Sequence, residues 1–232
     1  MSGTALPLIL GFIVMSLASL ALYAHGDRAK TFRHHTHFHS LVPFIAATAY
    51  LAMWLGSGVQ EVAGEPIYFA RYADWVVTTP ILLTGLVLTA LHEHHRYSGF
   101  ILSVVVLDVI MVATGLLSAL APDATARWIW FFWSCAAFAG VLYLLWGPIK
   151  ARSAHYGEPL DSVYRGNLLF LTIVWMAYPL VFALGPQGIG TTEATTDVWI
   201  ILVLDVVAKV VYGFVATERF KKVDASQVRK AD

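Results

Sequence analysis

Seven times along this chain the sequence runs apolar for about 20 residues, at about 5–24, 40–59, 67–91, 98–121, 128–148, 166–186 and 197–217. At 1.5 Å of helical rise per residue, each run can cross the roughly 30 Å hydrocarbon core of a bilayer. In lipid an isolated segment satisfies its own backbone only as a helix, because a strand leaves an open edge. The fold expected is therefore all-α: a membrane protein built as a seven-transmembrane-helix bundle. Connections are mostly under about 20 residues, and neither a linker nor a repeat of fixed period points to a second domain. Residues 1–232 are expected to form one domain.

Composition agrees and excludes several classes. With 58% hydrophobic and 13% charged residues, this is neither an average soluble domain nor a disordered chain. The formal net charge is zero, so no nucleic-acid partner is expected. Cys135 is the only cysteine, which excludes an intramolecular disulfide. No metal site and no enzymatic activity are expected. The opening residues MSGTALP lack the basic start of a secretory signal, so the first apolar run is expected to remain in the mature protein.

Charge orients the bundle. With the N-terminus outside, the inner segments carry Arg28, Lys30, Arg33, Arg96, Lys150, Arg152, Arg165, Arg219, Lys221, Lys222, Arg229 and Lys230, which are 12 of the 15 basic residues. The outer connections hold Glu61, Glu65, Asp123, Glu193 and Asp197, with Arg127 beside them. The positive-inside rule then places the N-terminus outside and the C-terminus in the cytoplasm.

Ionisable residues inside three of the runs carry the chemistry. In VWIILVLDVVAKVVYGFVAT, Asp205 and Lys209 lie four residues apart, one helical turn, on one face. Charges at that depth are costly and by default functional and paired. A desolvated lysine amine condenses readily with an aldehyde to a Schiff base, although a structural ion pair joining two helices would use the same residues. The third run adds Arg71, Asp74 and Thr78, spaced by three and four and so again on one face. Asp74 and Asp205 on separate helices can surround one cation, with Arg71 balancing the surplus negative charge.

These motifs resemble those of the microbial rhodopsins, retinal-binding light-driven proteins of the bacteriorhodopsin and proteorhodopsin type. The resemblance runs from about Leu41 to Gly213 and is most specific in RYADWVVTTP, WMAYP and LDVVAK. It implies all-trans retinal on Lys209 as a protonated Schiff base, Asp74 as primary counterion and proton acceptor, and Asp205 as second counterion. It implies too that Arg71 gates the path to the outer side and that Tyr50 and Tyr178 bond near Asp205. Trp75 and Trp175 would sandwich the polyene, joined by Thr79, Leu82, Met111, Gly115, Phe131, Ser134, Tyr178 and Phe182. Phe131 stands where bacteriorhodopsin has a tryptophan. Asp108 matches a structural carboxyl and is expected to be neutral and hydrogen-bonded, since an unpaired charge there would be costly.

The departure from the family pattern is Gly85. It lies 11 residues after Asp74, about 16 Å nearer the cytoplasm, where the two namesake pumps have a carboxylic proton donor. Asp, Thr and Gly at positions 74, 78 and 85 resemble a subgroup of bacterial pumps without that donor. The inner end of the second run, RHHTHFHSLVP, offers a substitute. His34, His35 and His37 are expected at headgroups or in solvent. His39 is deepest, one turn before Pro43, and imidazole titrates where a proton relay must. His92, His94 and His95 are expected at the surface.

The resemblance thus implies an outward proton pump, with a photosensor signalling through a separate partner as the alternative. Aspartate at position 74 argues against chloride- and sodium-pump patterns, and Asp205 against inward pumps. Retinal, protons and the lipid bilayer are the partners expected, with assembly as a homo-oligomer in a bacterial cell membrane. In the outer sixth-to-seventh connection, Glu193 and Asp197 are expected to be solvated, because Gln187 stands where the usual carboxylic partner of a release group would be.

Overall fold

The computed structural model describes residues 3–26, 33–91 and 98–223. His92, His94, His95, Arg28, Lys30, Arg96, Arg229 and Lys230 lie outside them, as do the side chains of Arg33, His34 and His35. Seven long helices follow one another: α1 Ala5–Gly26, α2 Arg33–Trp54, α3 Phe69–Leu91, α4 Ser98–Leu120, α5 Ala124–Ser153, α6 Glu158–Leu184 and α7 Ala194–Lys221. Each packs on its chain neighbours, and α7 returns against α1 and α2, closing a bundle. α5 and α6 are joined by side chains: Tyr164 Oη donates to Leu145 O at 2.6 Å, and Trp146 Nε1 to Thr172 Oγ1 at 3.0 Å.

Several helices outrun the apolar stretches that announce them. α2 begins at Arg33 rather than near residue 40, which puts His37 and His39 on a helix. α6 starts at Glu158, eight residues before its apolar run, with Pro159 in the first turn where its missing N–H costs nothing. Asp123 caps α5, its side chain accepting from Ala126 N at 2.8 Å. Hydropathy marks the lipid-facing length of a helix, and hydrogen bonding extends it into the headgroups. By length and composition six of the seven helices could cross a membrane, α2 being too polar at its Arg33 end.

Two strands, β1 Gln60–Val62 and β2 Glu65–Ile67, pair antiparallel between α2 and α3. Ala63 and Gly64 turn the hairpin at φ 53° and 84°, the positive-φ pair that suits the twist of a two-residue loop.

The apolar residues divide between interior and periphery as lipid requires. Buried clusters fill the bundle: Leu83, Leu86, Val141, Tyr164, Leu168 and Tyr212 towards the end that holds the C-terminus, and Leu8, Met15, Tyr50, Met53, Val198 and Leu202 towards the other. Leu20, Phe44, Leu102, Phe132, Trp133, Ile173 and Val203 stay exposed, an apolar exterior that a bilayer would cover. Gly11 lets α1 meet α2, because a Cβ there would collide with the Tyr50 ring. Between the clusters Arg71, Asp74, Thr78, Asp205 and Lys209 are all buried.

Candidate functional site

Lys209 sits in a π-helical segment of α7, Val206–Val211, a distortion frequent at functional sites. Its side chain is 3% exposed. Nζ donates to Asp74 Oδ2 on α3 and, at 3.1 Å, to Asp205 Oδ1 one turn back on α7. The two carboxylates that the sequence places on separate helices therefore meet one ammonium.

Asp205 is held from three further sides. Tyr50 Oη on α2 donates to its Oδ2 at 2.9 Å, Tyr178 Oη on α6 to its Oδ1 at 2.9 Å, and Trp75 Nε1 approaches Oδ1 at 3.4 Å. Asp74 is less encumbered: among the described residues its Oδ1 has no hydrogen-bond partner. Thr78 is fully buried and donates to the Asp74 backbone O at 2.9 Å, fixing that turn of α3. Spacings of three and four thus bring Arg71, Asp74 and Thr78 to one interior face, as expected.

Arg71 lies on the Tyr68 ring, its Cζ 4.8 Å from the centroid. Its Nη1 donates to Asp197 Oδ2 at 3.0 Å, in a pair whose side chains are 7% and 15% exposed. This corrects the reading of Asp197 as a solvated loop acid. α7 begins at Ala194, so Asp197 occupies its first turn and faces inward, while Glu193 remains exposed before it. Among the described residues Arg71 Nε and Nη2 have no hydrogen-bond partner, and buried polar atoms of that kind are normally met by water or ligand.

A cavity of about 160 Å³, the space open to the centre of a water molecule, runs from Lys209 between α3, α4, α5 and α6. Trp75, Thr79, Leu82, Met111, Gly115, Phe131, Ser134, Trp175, Tyr178 and Phe182 all line it. Phe131 and Phe182 stack at its far end, centroids 5.3 Å apart and planes 10° from parallel. Ser134 Oγ turns away to donate to Met111 O at 2.7 Å, leaving the wall apolar. Tyr50 and Thr78 do not border the cavity; they act on the carboxylates behind it. Tyr72, Cys135 and Phe138 border it without having been expected. Helical spacing could have found them, since 72, 75, 79 and 82 share a face of α3, and 131, 134, 135 and 138 a face of α5.

Asp108 lies beside the cavity with its Oδ2 2.6 Å from Thr79 Oγ1, which also reaches Trp75 O at 2.7 Å. His39 is 6% exposed and faces into the bundle, edge-on to the Tyr212 ring with centroids 5.5 Å apart. Gly85 leaves open space: among the described residues, and apart from its own helix backbone, nothing lies within 4 Å of where a Cβ would stand. Among the described residues no group of His, Cys, Asp and Glu could hold a metal ion.

A buried amine at the end of an aromatic slot fits a long apolar aldehyde better than any polar substrate. Known proteins agree with that chemistry. The Bacteriorhodopsin-like protein family matches residues 2–223. Archaerhodopsin-2 from Halobacterium sp. (strain aus-2) is 36% identical over 213 residues, covering 89% of this chain and 81% of that protein. Sensory rhodopsin-2 from Natronomonas pharaonis is 32% identical over 211 residues, covering 90% and 86%. Among solved structures, the thermophilic rhodopsin from Rubrobacter xylanophilus superposes with a TM-score of 0.86 at 34% identity, covering 95% of this chain and 100% of that one. The light-driven proton pump CsR from Coccomyxa subellipsoidea gives 0.84 at 30%, covering 94% and 97%. With fold, lysine and slot in agreement over nearly its whole length, the chain belongs to the bacteriorhodopsin-like family, the light-driven microbial rhodopsins, for which the implied chromophore is retinal.

Proposed function

We propose that this chain is a light-driven outward proton pump with all-trans retinal on Lys209, oriented with its N-terminus outside and its C-terminus in the cytoplasm. The carrying observation is that Lys209 Nζ contacts Asp74, whose second oxygen has no hydrogen-bond partner among the described residues. Bound retinal would supply light absorption and an isomerisation that changes the surroundings of Nζ. Trp75 and Trp175 would hold it from either side, and Phe131 and Phe182 would close the far end.

The chain's own groups then account for vectorial transfer. Asp74 accepts the proton of Nζ, while Asp205, fixed by two tyrosines, remains as the second anion. A positioned acceptor of this kind contributes about 10²–10⁴ in rate. Arg71 stands between Asp74 and the N-terminal side, bonded to Asp197, and offers the outward step. Thr79 has one proton and two neighbouring acceptors, so the count closes when Asp108 is neutral and donates one of the two bonds.

On the cytoplasmic side Gly85 has no group to return a proton. His39 supplies one there, buried on α2 and turned towards α7. Aspartate, threonine and glycine at 74, 78 and 85 support reading the chain as a pump that lacks a carboxylic donor. We assign residues 1–232 to one retinal-binding domain that assembles as a homo-oligomer in a bacterial plasma membrane.

The test is light-dependent pH change in cells expressing the chain with retinal. Sustained acidification of the medium, abolished by a protonophore, is the expected result. No change, a brief small transient as from a photosensor, or alkalinisation would overturn the reading.

A further inference from the structure

On the cytoplasmic side of His39 a further, half-buried cation lies between α6 and α7, and none of the steps above uses it. Arg219 follows Tyr212 by seven residues on α7, so it shares that helix face about 10 Å nearer the cytoplasm. Its Nη1 donates to Asn167 Oδ1 on α6 at 2.7 Å. The guanidinium lies against the α6 backbone: a Cβ on Gly166 would stand 3.1 Å from Arg219 Cζ and 3.2 Å from Nη1. Glycine at 166 and asparagine at 167 therefore form a seat for it.

Among the described residues no carboxylate neutralises the charge in this seat. The adjacent Glu218 is taken by His25 at 2.6 Å and Lys221 at 2.7 Å. Asn167 supplies a dipole but no counter-charge, although it is 1% exposed. One turn deeper, Phe170 on α6 meets Tyr212 on α7 with centroids 5.7 Å apart, and Tyr212 meets His39. From the cytoplasm inward, the fixed cation between α6 and α7 comes first and the Phe170–Tyr212 pair of rings next, with the imidazole of His39 on α2 edge-on to Tyr212.

We propose that Arg219, seated on Asn167 and Gly166, is the cytoplasmic gate of proton uptake. The seat ties α7 to α6 and holds a positive charge between bulk solvent and His39. That charge opposes an incoming proton in a medium less polar than water. Uptake then requires α6 and α7 to part at the Arg219–Asn167 bond, which moves the charge off the path. Arg219 is a positioning residue, and the inference rests on the pump reading for its biological meaning.

Flash photolysis of the full chain with retinal tests it, following decay of the photocycle state in which Lys209 Nζ has lost its proton. Arg219→Gln removes the charge, and Asn167→Leu keeps the charge but removes its seat. Both should retain the dark visible band and speed that decay several-fold. Both should also change its dependence on external pH, while Arg219→Lys should return the rate towards wild type. Gly166→Val, which pushes the guanidinium out, should act like Asn167→Leu and serves if either of the others fails to bind retinal. Unchanged or slower decay in the variants that form pigment would overturn the gate. The decay is read without reference to net transport, so a wild type that moves no protons would refute the pump while leaving this measurement decisive for the gate.

Discussion

Arg71 Nη1 and Asp197 Oδ2, 126 residues apart in sequence, are joined at 3.0 Å across α3 and α7. The pair is mostly buried, so removing one partner leaves a charge that water cannot easily reach. It also bears on how a proton leaves. A group that stores a proton at rest commonly shares it with a second carboxylate. Here the neighbouring position is Gln187, whose backbone carbonyl accepts from Arg127 Nη1 at 3.0 Å. With Asp197 engaged as the anionic partner of Arg71, release should follow uptake. A pH-indicating dye in vesicles should show that order, and Asp197→Asn should slow release without reversing it. Early release that vanishes in Asp197→Asn would contradict this assignment.

Lys209→Ala should give a colourless, inactive protein, because no covalent link to retinal can form. The two carboxylates would face each other without the ammonium between them, so a loss of thermal stability should accompany the loss of colour. Absorption spectra of the purified variant with retinal decide the first point. A visible band of normal intensity, without added amine, would remove Lys209 from its role.

Asp74→Asn should abolish outward transport, by roughly 10²-fold or more, in keeping with the loss of a positioned proton acceptor. It should also shift the dark band to longer wavelength or abolish it, since Lys209 loses one of its two anions. Full outward pumping by the variant would make Asp205 the acceptor. The geometry argues against that, because Asp205 already accepts from two tyrosines and an indole, whereas Asp74 keeps one oxygen without a partner among the described residues.

Much of this arrangement is legible in the residues themselves, for a physical reason. An ionisable group in a run of 20 apolar residues is expensive enough to announce itself, and helical spacing tells which of its neighbours it meets. Arg71, Asp74, Thr78, Asp205 and Lys209 come together as their spacing requires. Asp197 escapes that logic because it stands at a helix terminus, where hydropathy does not distinguish an inward side chain from a solvated one. The early start of α2 was hidden for a similar reason: four histidines and Arg33 read as polar although the helix continues through them. Arg219 and Asn167 are 52 residues apart and neither breaks an apolar run, so only the packing of α6 on α7 brings them to notice.

His39 carries the remaining prediction. After Asp74 has taken the proton of Lys209, another must come from the cytoplasm, and Gly85 leaves space but no donor. His39 is 6% exposed, points inward and packs on Tyr212 of the helix that carries Lys209. A Cβ on Gly213 would approach His39 Cβ to 3.4 Å, which places the imidazole's base on α7 itself. The substitution His39→Ala should hardly change the dark spectrum, because His39 does not border the cavity. It should slow reprotonation of Lys209 roughly 10²-fold, the lower end of what a positioned acid contributes. The step should also become more dependent on external pH, and azide, a small mobile proton carrier, should restore part of the rate. Flash photolysis of wild type and His39→Ala over a pH series measures all three effects. Equal decay in both proteins would make His39 a packing residue and leave water alone to bring the proton in.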